Sequence, residues 1–169
     1  AELMQEHNGC LIFLDMDNLK RINDIYGHTA GDRALKLLGN MLAKYTGHGI
    51  ASRLGGDEFL IFMPDVSHEA VAEQMHKLFQ EFHSIIENDV EIQCATLSAG
   101  LCMCTCEDSF ESCYLKADKT LYYVKQNGKN QFFFYQQMDH RDLSSSSVGK
   151  DLKLIANSLR ESGSYRGAL

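Results

Sequence analysis

The residues best suited to chemistry form one run of seven, Arg53-Leu54-Gly55-Gly56-Asp57-Glu58-Phe59, in which two acids follow a pair of glycines. Gly55 and Gly56 lack a Cβ, so the backbone accepts positive φ there and a phosphorylated ligand can approach it closely. Asp57 and Glu58 supply the hard oxygen atoms that Mg²⁺ prefers. The run therefore predicts a turn that holds a metal and a phosphate, although it also suits an ordinary hairpin with solvated acids.

Length and composition limit what kind of protein this chain can be. Its 169 residues, 44% of them hydrophobic, suit one soluble globular domain with a substantial core. No apolar stretch is long enough to cross a membrane, the first residues lack the order of a secretion signal, and the six cysteines show no disulfide-framework spacing. We therefore expect a cytoplasmic protein without membrane contact.

The net charge of −7 argues against general binding to nucleic acid or to an anionic membrane surface. An anionic ligand such as a nucleoside triphosphate is still compatible with this charge. It would need local help from a divalent cation and a few well-placed lysines.

The predicted elements alternate along the chain and must position the acids. Predicted strands cover residues 10–14, 50–54, 59–63, 92–104 and 131–135, and predicted helices cover residues 29–45, 67–86 and 112–126. This order predicts an α+β fold with a mixed, mainly antiparallel central sheet flanked by helices, of the ferredoxin-like or polymerase-palm kind. In such a sheet the first strand lies beside the hairpin, so Asp15 comes close to Asp57 and Glu58.

Four separated blocks, at residues 15–24, 27–32, 53–59 and 117–130, together resemble the GGDEF family of diguanylate cyclases. The resemblance covers residues 9–135 and implies a nucleotide-cyclase-like domain over residues 1–137. It implies an enzyme that condenses two GTP molecules into cyclic di-GMP and two pyrophosphates at the interface of an antiparallel homodimer. Residues 138–169 are expected to be a linker and tail or the start of a further domain.

The resemblance also implies a metal site. Asp15 and Asp57 would bind Mg²⁺, or Mn²⁺ in its place, through their carboxylates, and Met16 would contribute its backbone carbonyl. Glu58 would take a second metal or help to deprotonate the attacking hydroxyl. Lys20 would stabilise the charge that develops on the transferring phosphoryl group. The plainer alternative for Asp15 is a solvated strand end.

Three residues resemble the guanine pocket of the family. Asn23 offers a donor and an acceptor, and Asp32 can accept hydrogen bonds from N1 and N2 of guanine, which adenine cannot donate. His28 would line the same pocket or act as a packing residue that steadies the loop. Asn23 also suits a helix end or a turn on spacing alone.

Two further lysines are candidates for phosphate contacts, together with the backbone of Gly55 and Gly56. These are Lys125 and Lys129, although exposed lysines are common in any protein. Lys129 stands where the family usually has arginine, so a point charge replaces a bidentate fork. We expect somewhat lower affinity for the triphosphate as a result.

Two departures from the family pattern carry predictions. Thr46-Gly47-His48-Gly49 occupies the positions of the Arg-x-x-Asp inhibitory product site, so we expect no product inhibition there. The Asp-x-Leu-Thr block that precedes the first strand in the family is missing. We therefore expect a fragment with a truncated N-terminal block, taken from a parent protein with an upstream sensory module.

The cysteines form a second pattern. Cys102, Cys104 and Cys106 alternate, so a strand would place them on one face, and Cys94 and Cys113 flank them. Paired zinc ligands usually have two to four residues between them, so this pattern favours small packing residues over a zinc site.

Three hypotheses about function follow from the sequence. The leading one is a catalytically competent diguanylate cyclase domain. The alternatives are a non-catalytic GTP-binding module that regulates an attached domain, and an interaction module in which the glycine turn is only structural.

Overall fold

The structure is a computed structural model that describes residues 2–138. Its helices are α1 (Glu2–Glu6), α2 (Leu19–Tyr26), α3 (His28–Tyr45), α4 (His68–Ile86) and α5 (Phe110–Gln126). Its strands are β1 (Gly9–Asp17), β2 (Ile50–Gly55), β3 (Glu58–Pro64), β4 (Thr96–Cys104) and β5 (Phe132–Phe134), and a 3₁₀ turn follows at Tyr135–Gln137. The strands form one sheet in the order β2-β3-β1-β4-β5, in which only the β4–β5 pair is parallel. The predicted α+β class is confirmed.

The central strand β1 is buried at all nine positions because helices cover both faces of the sheet. Ile12 and Leu14 belong to the core that includes residues of α3 and α4, whereas Leu11 and Phe13 belong to the core that includes residues of α5. Side chains alternate along a strand, so Asp15 continues the α5 face. The end of β1 therefore delivers acids into the space between the sheet and α5.

The helix boundaries largely follow their local signals. Ser67 caps α4 by accepting a hydrogen bond from the backbone N–H of Ala70, as its position before the apolar face predicts. Helix α5 ends at Gln126, directly before Asn127 and Gly128, and Gly128 has a φ of 108°. The sequence predictions missed α1 and α2, which are short.

Two strand predictions need correction. Strand β4 begins at Thr96 and not at residue 92, because the segment before it forms turns closed by Asp89, whose carbonyl accepts from the N–H groups of Ile92 and Gln93. Strand β1 extends past the predicted end to Asp17, paired along its length with β4. Asp15 is thus inside the strand and not at its end.

No helix among residues 2–138 is long and apolar enough to cross a membrane. The predicted linker and tail fall outside the described residues from residue 139 onward.

Candidate active site

Three hydrogen bonds fix the double-glycine turn, two of them within the turn and one that joins it to β1. Gly55 and Gly56 have φ values of 146° and 57°, which side chains with a Cβ rarely adopt. Arg53 donates from Nε and Nη2 to the carbonyl of Gly56, at 3.0 and 2.8 Å. The backbone N–H of Met16 donates to the carbonyl of Asp57 at 2.9 Å. These contacts bring Asp57 to the end of β1, as predicted.

A buried charge network lies next to this turn. The ammonium group of Lys125 on α5 contacts Oδ1 of Asp15 and lies 2.6 Å from Oδ1 of Asp17. Oδ2 of Asp17 accepts hydrogen bonds from Thr96 at 2.8 Å and from Ser98 at 2.7 Å. The side chain of Asp17 is 0% exposed and that of Asp15 is 12% exposed. All polar atoms of the Asp17 carboxylate are therefore satisfied without a ligand.

The electrostatics of Asp15 differ from those of an ordinary surface acid. The pKa of Asp15 is raised to about 6. Burial is the main cause, the hydrogen bond and charge of Lys125 oppose it, and the negative charges of Asp57 and Asp17 add smaller upward effects. Burial disfavours the charge on Lys125, yet hydrogen bonds and attraction to the two acids hold its pKa above its usual value. Two carboxylates thus share one lysine while a third, Asp57, lies near Asp15, an arrangement that a divalent cation would relieve.

These groups line an open cavity of about 450 Å³. Lining residues come from the end of β1, the start of α2, the glycine turn and α5 with the loop after it: Asp15, Met16, Asp17, Asn18, Leu19, Lys20, Arg21, Asp24, Asp57, Lys125 and Lys129. The first N–H groups of α2 have no partner within the helix and carry its positive dipole end. The cavity therefore combines oxygen ligands for a cation with a helix start and lysines for an anion.

Glu58 lies beside the cavity and does not line it. It pairs with Asp15 in the β1–β3 register, so both side chains stand on the α5 face. Burial raises the pKa of Tyr114 most, and the charges of Asp118 and then of Glu58 raise it by smaller amounts. Gly55 and Gly56 likewise form the turn without lining the cavity.

The predicted base-reading residues lie further along α2 and α3. Asn23 is half-buried, whereas His28 and Asp32 are exposed on the first turns of α3. Oδ1 of Asn23 is buried, and no described residue donates a hydrogen bond to it. It faces Gly31, where an added Cβ would fall well inside van der Waals contact of this oxygen. Gly31 is thus the position that makes room for Asn23.

Sequence reasoning did not assign a role to Asp17, Thr96 or Ser98. The available signal was the two-residue spacing between Asp15 and Asp17, which places both acids on one face of a strand. Nothing local marked Thr96 and Ser98, because their role depends on the pairing of β4 with β1.

The fold and the cavity define an α+β domain in which paired acids at a glycine turn lie beside a cavity lined by acids and lysines. The family model described as "Diguanylate cyclase, GGDEF domain" matches residues 1–131. The chain therefore belongs to the GGDEF family.

Curated relatives agree with this assignment. The chain is 36% identical over 125 residues to diguanylate cyclase A of Treponema denticola, a match that covers 71% of this chain and 33% of that protein. It is 32% identical over 141 residues to a diguanylate cyclase of Vibrio cholerae, covering 81% of this chain and 43% of that protein. The chain thus spans less than half the length of both relatives.

Solved structures show the same fold. The active GGEEF domain of a diguanylate cyclase from Vibrio cholerae has a TM-score of 0.70 and 27% identity, over 79% of this chain and 86% of that one. The GGDEF domain of DgcB from Caulobacter crescentus, in complex with c-di-GMP, also has a TM-score of 0.70, with 26% identity over 78% of this chain and 80% of that one.

Proposed function

We propose that this chain is a diguanylate cyclase domain that condenses two GTP molecules into cyclic di-GMP and two pyrophosphates. The observation that carries the proposal is the convergence of Asp15 and Asp57 on one cavity that also contains Lys20, Lys125 and Lys129. Phosphoryl transfer needs little covalent chemistry from a protein, and it does need positioning and neutralisation of charge. Carboxylates, lysines and the start of a helix in one cavity supply both.

The donor set fits Mg²⁺, with Mn²⁺ as an alternative. Asp15 and Asp57 would hold it through carboxylates and Met16 through its backbone carbonyl, all hard oxygen ligands. The raised pKa of Asp15 supports this fit, because burial and, to a smaller extent, the charges of Asp57 and Asp17 disfavour its charged form, which a divalent cation would stabilise. When bound, the cation would neutralise charge on the phosphates and lower the pKa of the attacking hydroxyl.

The chain's own residues would do the remaining work at the phosphates. Lys20 is exposed on the first turn of α2, where it can meet charge that develops on the transferring group. Lys125 lines the same cavity beside Asp15 and Asp17 and would offer its positive charge to the triphosphate. Lys129 would contact the terminal phosphates as a point charge. Glu58, opposite Asp15, would assist deprotonation of the attacking hydroxyl or hold a second cation.

The guanine base would bind along α2 and α3, against Asn23 and Asp32, with His28 at its edge. The unpartnered oxygen of Asn23 supports this proposal, because a buried acceptor without a donor costs about 1–3 kcal/mol until a ligand satisfies it. The carboxylate of Asp32 would select guanine through its N1 and N2 hydrogens. Adenine would leave that carboxylate unpaired.

The attacking hydroxyl of one GTP must reach the α-phosphate of another, so we propose that two copies of the domain face each other. The exposed positions of His28 and Asp32 support such an arrangement, since a second copy could cover them. We propose a cytoplasmic setting and control of this pairing by other parts of the parent protein.

The test is product formation from GTP and Mg²⁺, measured by mass spectrometry at concentrations where the protein is dimeric. Wild type should form cyclic di-GMP, and Asp57→Asn should lose the activity while it keeps its fold. Asp65→Asn is the matched control, because it removes an exposed carboxylate just after the other end of β3. Binding of GTP without product, in the chain and its parent, would overturn the catalytic proposal in favour of a GTP-binding regulator.

We also propose that cyclic di-GMP does not inhibit this domain through the turn between α3 and β2. Residues 46–49 carry neither a carboxylate nor a guanidinium group, and the turn is closed by a 2.8 Å hydrogen bond from the N–H of Gly49 to the carbonyl of Thr46. Progress curves should therefore not slow when product is added below the level that competes with GTP.

A further inference from the structure

Three cysteines meet between the sheet and α5, at the other end of β4 from Ser98. Cys102 and Cys104 alternate on β4 and both face α5, where Cys113 lies against them. Their Sγ atoms all lie within 4.8 Å of one another, and all three side chains are buried. Cys106 is exposed beyond the end of β4, so it does not join Cys102 and Cys104 as the alternation predicted. Cys94 precedes the strand and is not part of the group either.

The walls of this cysteine cluster are mostly apolar. Phe13, Phe110 and Tyr114 belong to the same buried core. Within residues 2–138, no fourth histidine, cysteine, aspartate or glutamate belongs to the group. The site therefore offers three sulfur ligands on rigid elements and little room for a hydrated fourth position.

Polar groups approach the cluster from one side. Gln136 donates from Nε2 to Sγ of Cys102 at 3.9 Å and to the carbonyl of Met103 at 2.9 Å. Lys116 has a side chain that is 32% exposed, and its positive charge acts on Cys102 and Cys113.

Two of the three thiols are held by hydrogen bonds to the backbone of β4. Cys104 donates from Sγ to the carbonyl of Cys102 at 3.1 Å, and Cys102 donates from Sγ to the carbonyl of Met103 at 3.6 Å. Neither of these bonds joins two sulfurs, so the three sulfurs can share one ion, which would bind them as thiolates.

We propose that Cys102, Cys104 and Cys113 form a three-sulfur site for a soft monovalent metal ion, with Cu(I) as the probe. Soft thiolates select Cu(I) and Zn²⁺, and structural zinc almost always takes four ligands, which this group does not offer. Sulfurs about 2.3 Å from a shared ion lie about 4 Å apart, so the cluster needs to contract by no more than about 1 Å. As the metal–sulfur bonds form, the thiol protons pass to solvent.

The proposal is tested by anaerobic titration of the reduced full chain with Cu(I), in competition with a chelator of known affinity. We expect one ion per chain and thiolate-to-metal absorption in the ultraviolet. Cys113→Ser should weaken binding by more than about a hundredfold, because changes outside the ligand shell already cost about ten- to a hundredfold. Cys106→Ser is the matched control and should bind as wild type does. Equal binding by Cys113→Ser, or loss of binding in Cys106→Ser, would overturn the proposal.

A second measurement uses only the wild-type protein, so it does not depend on the folding of any variant. X-ray absorption of wild-type protein with one equivalent of Cu(I) should show three sulfur neighbours and no nitrogen or oxygen. The thermal midpoint should also rise, because an ion that binds only the folded state stabilises it. A shell containing nitrogen or oxygen, an unchanged midpoint, or tighter binding of Zn²⁺ than of Cu(I) would mean that the three cysteines are packing residues only.

Discussion

The two ends of the proposed GTP site differ in how fully the protein satisfies its own polar groups. At the carboxylate end, Asp17 receives hydrogen bonds from Thr96 and Ser98 and an ion pair from Lys125. At the base end, Oδ1 of Asn23 has no donor among the described residues. The first region is organised without a ligand, whereas the second has an unsatisfied acceptor, which we propose that the guanine base completes. This difference predicts that substitutions at the two ends will change different kinetic constants.

The largest effect is expected for Asp15→Asn. Turnover should fall by more than about a hundredfold, because a proposed metal ligand is lost and outer-shell changes alone cost about ten- to a hundredfold. The free energy of unfolding of the metal-free variant should rise, by up to about 2 kcal/mol at neutral pH, because the fold disfavours the charged form of Asp15. Turnover assays and urea denaturation measure the two effects.

The pH dependence of stability shows the sign of the contribution that Asp15 makes to the free energy of unfolding. The folded-state pKa of Asp15, about 6, lies above its ordinary value of 3.8, so the folded protein binds this proton more tightly than the unfolded chain does. The contribution of Asp15 to stability is therefore present at low pH and is lost as the pH rises from about 4 to about 6. Asp15→Asn should remove this part of the pH dependence. If Asp15→Asn is less stable than wild type at neutral pH, the fold does not disfavour the charged form of Asp15.

Asp17→Asn should give the opposite change in stability, although it lies two residues away and contacts the same lysine. Its side chain is 0% exposed, and removing one partner of a buried ion pair costs about 3 kcal/mol. Turnover should fall by about ten- to a hundredfold, since Asp17 positions Lys125 and the end of β1. Denaturation and steady-state kinetics check both values.

Ser98→Ala is the companion to this variant, because it removes one of the hydrogen bonds that Asp17 accepts, together with the weaker one at 3.2 Å that Ser98 accepts from the N–H of Asn130. It should cost about 1 kcal/mol of stability and leave the ion pair intact. If Asp17→Asn costs no more than Ser98→Ala, the carboxylate end is not the preorganised region described above.

The contrast between the two ends also explains what the sequence could predict. Asp15 and Asp57 were predicted because a buried apolar run and a glycine turn locate them through local pattern alone. The base-reading positions Asn23 and Asp32 rested on the family resemblance, since an asparagine in a short amphipathic helix carries no local signal of its own. Asp17 was overlooked because its partners are about 80 residues away along the chain and become neighbours only through the β1–β4 register.

The element predictions failed for a related reason. Helix α2 has only eight residues, so its apolar face is too short to mark it, and it begins after Asn18, which has a φ of 67° and no side-chain cap, so no capping signal marks it either. The early start predicted for β4 came from the apolar Ile92 and Ala95, which are buried in turns and not in the strand. In helix α2 and in the segment before β4, the apolar residues reflect burial, whereas tertiary contacts set the backbone conformation.

At the base end, Gly31→Ala should have a moderate effect confined to binding. The added Cβ would clash with Oδ1 of Asn23, the far end of a side chain that can rotate away. The KM for GTP should rise about tenfold, equal to about 1.4 kcal/mol, with a smaller change in kcat. Gly39→Ala on the same helix is the control, since nothing lies within 4 Å of its added Cβ, and it should bind GTP as wild type does. If Gly31→Ala leaves KM for GTP unchanged, Asn23 does not contact the guanine base.

The smallest effect is expected for Arg53→Lys, which tests whether the glycine turn needs its own clamp. Arg53 donates twice to the carbonyl of Gly56, and lysine cannot reproduce this fork. One hydrogen bond of about 1 kcal/mol is lost, so kcat and the apparent affinity for Mg²⁺ should each fall by about fivefold or less, with KM for GTP nearly unchanged.

Arg33→Lys is the matched control, because Arg33 is an exposed arginine whose ion pairs with Asp89 and Glu91 lie away from the cavity. It should leave all three kinetic constants at the wild-type level. If Arg53→Lys and Arg33→Lys behave alike, the turn is held by the Met16–Asp57 backbone bond alone. If Arg53→Lys changes KM for GTP more than the affinity for Mg²⁺, the arginine contributes to nucleotide binding, and the division between the two ends of the site is less sharp than the static contacts indicate.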